Sequence, residues 1–301
     1  MKESYEMYYG EVFRAFRIRK RISEKRAYEG VCSRSTLRNF EMGRRKISIN
    51  KLIGLLENIE VTEADYFAAV KNYKLSKNER FLKDVFHFYR INDHNALQAM
   101  LKAKRLSLSR RWNDVNHLHI LLLYVFLDEL KPDFQISQKE LTRASKYFSS
   151  LDKWTYHEIT LFGNLAHVLT MGLVSSVIDG FLKQKETLFA DRIMRGRLIR
   201  TLLNASYSFI GQKNLDEAGY FLNHAESLMA TQKKEDIIFE HYMLKFMKGF
   251  YCLVDGDVDE GQESMKAVIN LFKIIEIPEL VERYKYYYKK AMKQVKAETE
   301  E

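Results

Sequence analysis

Three segments of the 301-residue chain carry one turn written three ways: FYRINDHNALQAML from Phe88, SFIGQKNLDEAGYFL from Ser208 and YCLVDGDVDEGQESM from Tyr251. In each, an aromatic or aliphatic helix end meets a short polar turn, and a second helix opens on acidic and small residues. Turns this short send the chain back antiparallel to itself, so they specify helix hairpins. The spacing also repeats. A shift of 40 lays Asn164 on Asn204, Ile178 on Ala218 and Phe181 on Phe221, and a shift of 43 lays Leu215 on Val258 and Glu217 on Glu260. A hairpin cannot bury its apolar face alone, so units at this period must stack, and stacking curves them around a concave surface. From residue 79 onward the pattern accommodates about five hairpins, with VERYKYYYKKAMKQV as a capping helix. Strand-type alternation is nearly absent and the chain holds only two prolines, Pro132 and Pro278. The expectation is an all-α chain whose residues 79–301 form a tetratricopeptide-like α-solenoid.

The first 73 residues read differently. From Tyr9 to Ile22, Val12, Phe13, Phe16 and the stem of Arg19 recur at helical spacing, while Arg14, Arg17, Lys20 and Arg21 face elsewhere. Ser23 caps a short helix over Glu24–Glu29, and Gly30 supplies a tight turn. Ser33 caps a third helix with Leu37 and Phe40 inward, which Gly43 stops in a left-handed conformation. Ser48 caps a fourth, with Leu52, Ile53, Leu55, Leu56 and Ile59 as its inner stripe, and Thr62 opens a fifth through Tyr66, Phe67 and Val70. Five short helices with short polar turns make one small domain over 1–73. The polar KLSKN at 74–78 reads as a linker to the repeat domain.

Charge separates the two domains more sharply than hydropathy does. Residues 1–51 hold 14 Lys and Arg against 6 Asp and Glu, a surplus of 8 in a chain whose formal net charge is +9. A basic unit on a near-neutral body suggests one end that meets a polyanion. Two cysteines 220 positions apart, Cys32 and Cys252, point to neither a disulfide scaffold nor a metal site. The start of the chain lacks a signal-type apolar core, and the longest apolar run, Ile120–Leu127, falls far short of the roughly 20 residues that span a bilayer. A cytoplasmic protein with no membrane partner is expected.

Catalytic signals are missing. DGDVDEG at 255–261 imitates a calcium loop, but Glu260 stands where Gly is needed and Lys266 where the bidentate Glu belongs. His117 and His119 diverge around a helix, and His157, His167, His224 and His241 show no ligand spacing. With no phosphate-cradling loop, nucleophile elbow or zinc-protease helix present, no enzyme activity, metal or cofactor is expected.

The N-terminal order of helices, turn, Leu37, Phe40, Glu41 and Gly43 resembles the helix-turn-helix of the phage-repressor-like DNA-binding domain. There the second helix presents polar side chains to base edges in the major groove while the first crosses the backbone. Transferred to this sequence, Ser33, Arg34, Ser35, Arg38 and Asn39 are the base-facing set. Arg14, Arg17, Ser23, Lys25, Arg44, Arg45 and Lys46 are the phosphate set. In this resemblance the turn position normally held by glycine falls on Val31, one place after Gly30. Cys32, in the turn before the third helix, is a candidate for an intersubunit disulfide or a small buried residue.

Two strings narrow the resemblance further: Gly10, Glu11, Phe13, Arg14, Phe16, Arg17, and then Ser33, Arg34, Ser35, Leu37, Phe40, Glu41, Gly43. They resemble the Rgg-type regulators of Gram-positive bacteria, specifically over about residues 8–70 and architecturally along the whole chain. The resemblance implies a homodimeric transcription regulator of double-stranded promoter DNA, controlled by a short hydrophobic signalling peptide in the concave face of its repeats. On that reading Asn164 and Asn204 clamp the peptide backbone, because an amide both donates and accepts. Arg197 and Arg200 meet a peptide carboxylate, and Met243 and Met247 line an adaptable apolar groove. The residues alone leave alternatives open: Asn that bond inter-helix carbonyls and Met in the core, a small-molecule ligand, or a helical-repeat adaptor that binds protein.

Overall fold

Four of the five N-terminal helices begin behind a hydroxyl side chain. In the computed structural model, which describes residues 5–110, 113–131, 135–184, 191–230 and 232–299, these helices are α1 (Tyr5–Arg19), α2 (Glu24–Tyr28), α3 (Arg34–Glu41), α4 (Ile49–Asn58) and α5 (Glu63–Val70). Ser23, Ser33, Ser48 and Thr62 each hold extended backbone and accept the N–H three residues on, satisfying a donor the helix itself leaves unpaired. Gly30 and Gly43 take φ +73° and +68°, so each turn occupies the left-handed region where a Cβ is costly. The glycine of the α2–α3 turn is therefore Gly30, and Val31 beside it packs against the core.

The helices close around Phe13, Ala27, Leu37, Phe40, Leu55, Leu56, Ile59 and Tyr66. Helix α1 crosses α3 at Gly10, where an added Cβ would stand 1.7 Å from the Phe40 carbonyl oxygen. The Tyr66 hydroxyl donates to the Tyr9 carbonyl at 2.8 Å and ties α5 to α1. Asn58 Nδ2 donates to the carbonyls of Ala27 and Glu29 at 3.0 and 2.9 Å, fastening α4 to the α2–α3 turn.

The chain divides into two compact units, 1–81 and 82–301, and the division falls within α6 (Lys77–Arg90). Of the polar stretch at 74–78, Lys77 and Asn78 already belong to α6. Ser76 Oγ accepts the Glu79 N–H at 3.2 Å while Glu79 accepts the Ser76 N–H at 2.8 Å, a reciprocal cap that starts the helix at Lys77.

After α6 come α7 (His94–Arg110), α8 (Asp114–Leu130), α9 (Gln138–Ser149), α10 (Tyr156–Leu165), α11 (Met171–Lys183), α12 (Arg192–Gly211), α13 (Leu215–Ala230), α14 (Ile238–Asp255), α15 (Val258–Ile274) and α16 (Pro278–Thr299). Among the described residues, α6–α15 read in order as five hairpins followed by α16. The inner helices α8, α10, α12, α14 and α16 pack in succession. The 40-residue register holds: Ile178, Ala218, Phe181 and Phe221 are all core. Asp257 accepts the Glu260 N–H at 3.2 Å, so the calcium-loop mimic is a helix cap. Helix α16 does more than cover the last hairpin. Its Tyr287 reaches the Tyr89 hydroxyl on α6 at 3.4 Å and packs 5.6 Å from the Tyr207 ring on α12, and Gln294 donates to the Gly211 carbonyl at 3.0 Å. The last helix of the repeat unit thus meets the first, and the row curves back on itself.

Candidate functional site

In the N-terminal unit, α3 turns two apolar residues inward and leaves a polar face outside. Leu37 and Phe40 are core, whereas Ser33, Arg34, Ser35 and Arg38 are exposed and Asn39 is half-buried. The structure therefore brings the base-facing set together on one short surface. Ser33 Oγ both caps α3 and lies 3.1 Å from Ser35 Oγ and 2.9 Å from Thr36 Oγ1, which orders the helix start. The Asn39 carbonyl accepts the N–H groups of Arg44 and Arg45 at 2.8 and 3.1 Å, so the backbone of the post-helix cations is fixed to α3. Arg14, Ser23, Lys25, Arg44, Arg45 and Lys46 are all exposed.

Arg17 is a correction to the phosphate set. It is 8% exposed, and its Nε and Nη2 donate to Glu41 Oε1 and Oε2 at 2.6 and 2.8 Å. The Glu41 partner holds its guanidinium pKa above the usual value. The two groups engage each other at both carboxylate oxygens, and Nη1 donates to the Ile22 carbonyl at 3.1 Å. Arg17 lies one turn beyond Phe13, on the buried face, whereas Arg19, placed inward by the sequence, is exposed with its guanidinium 5.5 Å from the Phe16 ring.

One acidic side chain borders the basic face. Glu24, the first residue of α2, accepts Arg34 Nε at 3.1 Å on Oε2 and Arg38 Nε at 3.1 and 3.0 Å on its two oxygens. The Arg38 and then the Arg34 hydrogen bonds hold its carboxyl below the usual carboxylate range. Cys32 is half-buried against the core, and burial pushes its thiol up.

In the repeat unit, the peptide-directed residues separate into two groups. Asn164, Arg197, Arg200 and Asn204 lie on the neighbouring helices α10 and α12, half-buried or exposed. Asn164 Nδ2 donates to Thr160 O within its own helix at 2.7 Å, and Asn204 Nδ2 donates across to Gly163 O at 3.1 Å. The amide nitrogens thus hold helix carbonyls. Arg197 donates to Thr160 Oγ1 and lies 5.8 Å from the Tyr156 ring. Arg200 Nε donates to Glu240 Oε1 at 2.7 Å. Met243 and Met247 are the second group and a second correction: they are 9% and 6% exposed. Helix α14 is enclosed by α12, α13, α15 and α16, so these methionines serve the core instead of an open groove.

Two features lie beyond sequence reading. Glu240, nearly buried on α14, is the partner of Arg200 forty residues away. His119 on α8 and His157 on α10 meet through their Nε2 atoms at 2.8 Å, and Lys104 Nζ lies 2.8 Å from His119 Nδ1. An ammonium only donates, so Nδ1 accepts and the His119 proton sits on Nε2, aimed at His157. Burial, then Lys104 and His157, push the His119 pKa down to about 2. Residues 38 apart with no shared motif give a sequence reader no cue to this pairing. No group of three or more His, Cys, Asp or Glu that could hold a metal occurs among the described residues. No described helix is long and apolar enough to cross a membrane.

Residues 98–286 match the family model described as HTH-type transcriptional regulator Rgg, C-terminal domain. Solved structures share the fold along nearly the whole chain. The Streptococcus dysgalactiae SHP pheromone receptor Rgg2 is 20% identical with a TM-score of 0.72, covering 94% of this chain and 99% of that one. A Listeria monocytogenes EGD-e structure, assigned as a transcriptional regulator, is 20% identical with a TM-score of 0.77, covering 96% and 98%. PrgX in its complex with iCF10 is 16% identical with a TM-score of 0.67, covering 98% and 91%.

Proposed function

The chain belongs to the Rgg family of HTH-type transcriptional regulators, and from that premise we propose that α3 reads promoter DNA while the inner face of the repeat unit takes a short hydrophobic peptide. The observation that carries the DNA reading is the division of α3, with Leu37 and Phe40 in the core and Arg34, Ser35 and Arg38 outside. Such a helix can enter a major groove without unfolding its own domain. Arginine meets guanine O6 and N7 bidentately, and the Ser and Asn side chains both donate and accept. Arg14, Lys25, Arg44, Arg45 and Lys46, with the Ser23 hydroxyl, supply phosphate contacts that set register without reading sequence.

One recognition helix reads only a few base pairs, so a homodimer on a two-fold site is the expected working form. The peptide lies along α10 and α12, where the Oδ1 atoms of Asn164 and Asn204 accept peptide N–H groups and Arg197 and Arg200 meet a carboxylate. The likeness to a SHP pheromone receptor and to PrgX supports a peptide as the effector. Peptide binding biases the population of dimer arrangements and so the presentation of the two recognition helices. The chain acts in the cytoplasm and carries out no catalysis.

The test is fluorescence anisotropy of the full chain on labelled duplexes across a salt series. Affinity should fall steeply with salt, and the double variant Arg44→Ala, Arg45→Ala should reduce the slope of log K against log salt by about 2 per bound protomer. A flat salt response would remove the DNA reading. For the peptide, titration calorimetry with a panel of synthetic hydrophobic peptides should show a complex that Asn204→Ala weakens about 3- to 10-fold, the worth of one hydrogen bond. Unchanged affinity would remove Asn204 from the site.

A further inference from the structure

We propose that Glu24 is a specificity-determining positioning residue, which holds Arg34 and Arg38 by their Nε atoms and aims the remaining guanidinium donors of both at base edges. The inference rests on the DNA-binding reading above. Its starting point is an apparent contradiction: an acidic side chain, 27% exposed, stands beside the face expected to meet a polyanion. A carboxylate there repels phosphate, so a surface built only for affinity would not keep it.

The geometry supplies the reason. Arg34 and Arg38 are one helical turn apart on α3, and each gives Glu24 its Nε, at 3.0–3.1 Å. An arginine has five N–H donors in a rigid plane, and using Nε leaves the terminal Nη1 and Nη2 pair for the bidentate contact to guanine. Anchored at Nε, each side chain gives up much of its rotamer freedom before DNA arrives, so less is lost on reading a base. Sliding onto a phosphate is a different matter. A phosphate gripped by either arginine would stand beside the Glu24 carboxylate, anion against anion. Glu24 therefore tolerates base contacts and penalises phosphate contacts by the same two side chains. The carboxyl is held below the usual range by these arginines, so it stays ionised at neutral pH.

The experiment uses the full chain and a random-sequence duplex library. Wild type, E24Q, the double variant R34Q/R38Q and the triple variant are each taken through rounds of selection, and affinities are then measured for the enriched duplex and for an unrelated one. E24Q should bind the unrelated duplex more tightly, enrich a broader motif and lose about fivefold or more in the ratio of the two affinities. E24D, with the charge retracted by one methylene, should fall between the two. In the R34Q/R38Q background, replacing Glu24 should leave the ratio within about twofold, because non-additivity is the mark of a residue acting through its partners. An unchanged ratio in E24Q overturns the proposal, as does an equal fall when both arginines are absent. If wild type enriches no motif, the DNA reading itself fails and takes the inference with it. Melting curves confirm that every variant is folded.

Discussion

At the residue scale, Arg17 teaches most. Counted with its basic neighbours it looks like one more phosphate contact, yet it is sealed against Glu41 inside the N-terminal unit. Replacing it should cost the domain stability directly: Arg17→Ala leaves a buried carboxylate without its partner, and chemical denaturation should show a loss of about 3 kcal/mol. The double variant Arg17→Leu, Glu41→Leu should recover much of that loss, since neither charge then remains buried alone. His119 behaves in the opposite sense. Its pKa is depressed in the folded chain, to about 2, while the unfolded residue titrates normally. The unfolded state therefore takes up a proton first, and stability is lost as pH falls below the normal histidine range. Between about pH 7 and about pH 5 this residue alone should withdraw about 2 kcal/mol. His119→Gln should show a correspondingly flatter dependence of unfolding free energy on pH. None of these partners was legible in the sequence, because a single position reveals its residue type and not the group it faces.

At the element scale, the caps and stops were legible and the crossings were not. Ser23, Ser33, Ser48 and Thr62 act within three residues of themselves, so local spacing suffices to place the starts of α2–α5. Ser76 and Glu79 form the same kind of signal, hidden in a stretch whose polarity suggested a linker. The α1–α3 crossing at Gly10 depends on two segments thirty residues apart. Gly10→Ala should drive a methyl group against the Phe40 carbonyl. Backbone cannot yield as a side chain tip does, so the helices must separate. Overpacking of this kind costs about 1–3 kcal/mol, readable as a lower melting temperature. Because α3 carries the proposed base-facing residues, DNA affinity should fall along with it. A melting temperature equal to wild type would mean that the two helices are not held this closely.

At the scale of the whole molecule, five hairpins and a final helix were visible in the 40-residue recurrence, but the closure of their row was not. Tyr89, Tyr207 and Tyr287 come from α6, α12 and α16, and Arg283 stacks 5.1 Å from the Tyr89 ring. Tyr287→Ala should remove about 2 kcal/mol of aromatic packing. Hydrogen exchange should then show α6 and α16 losing protection together, a coupling that a simple end cap would not produce. Met243 and Met247 show the same limit: repeat register places them beside Asn204, but α14, packed by its neighbouring helices, buries them in the core. The all-α class, the basic start of the chain, the helix caps and the hairpin period could thus be read from residue order, because each is written in spacings of a few residues or in a register that repeats. Folding in three dimensions was needed to settle which arginine is core and which is surface, that Glu24 stands beside α3, and which repeat positions are buried. Those outcomes depend on pairs such as Arg17 with Glu41 and His119 with His157, brought together by packing across long stretches of chain, where local patterns carry no information.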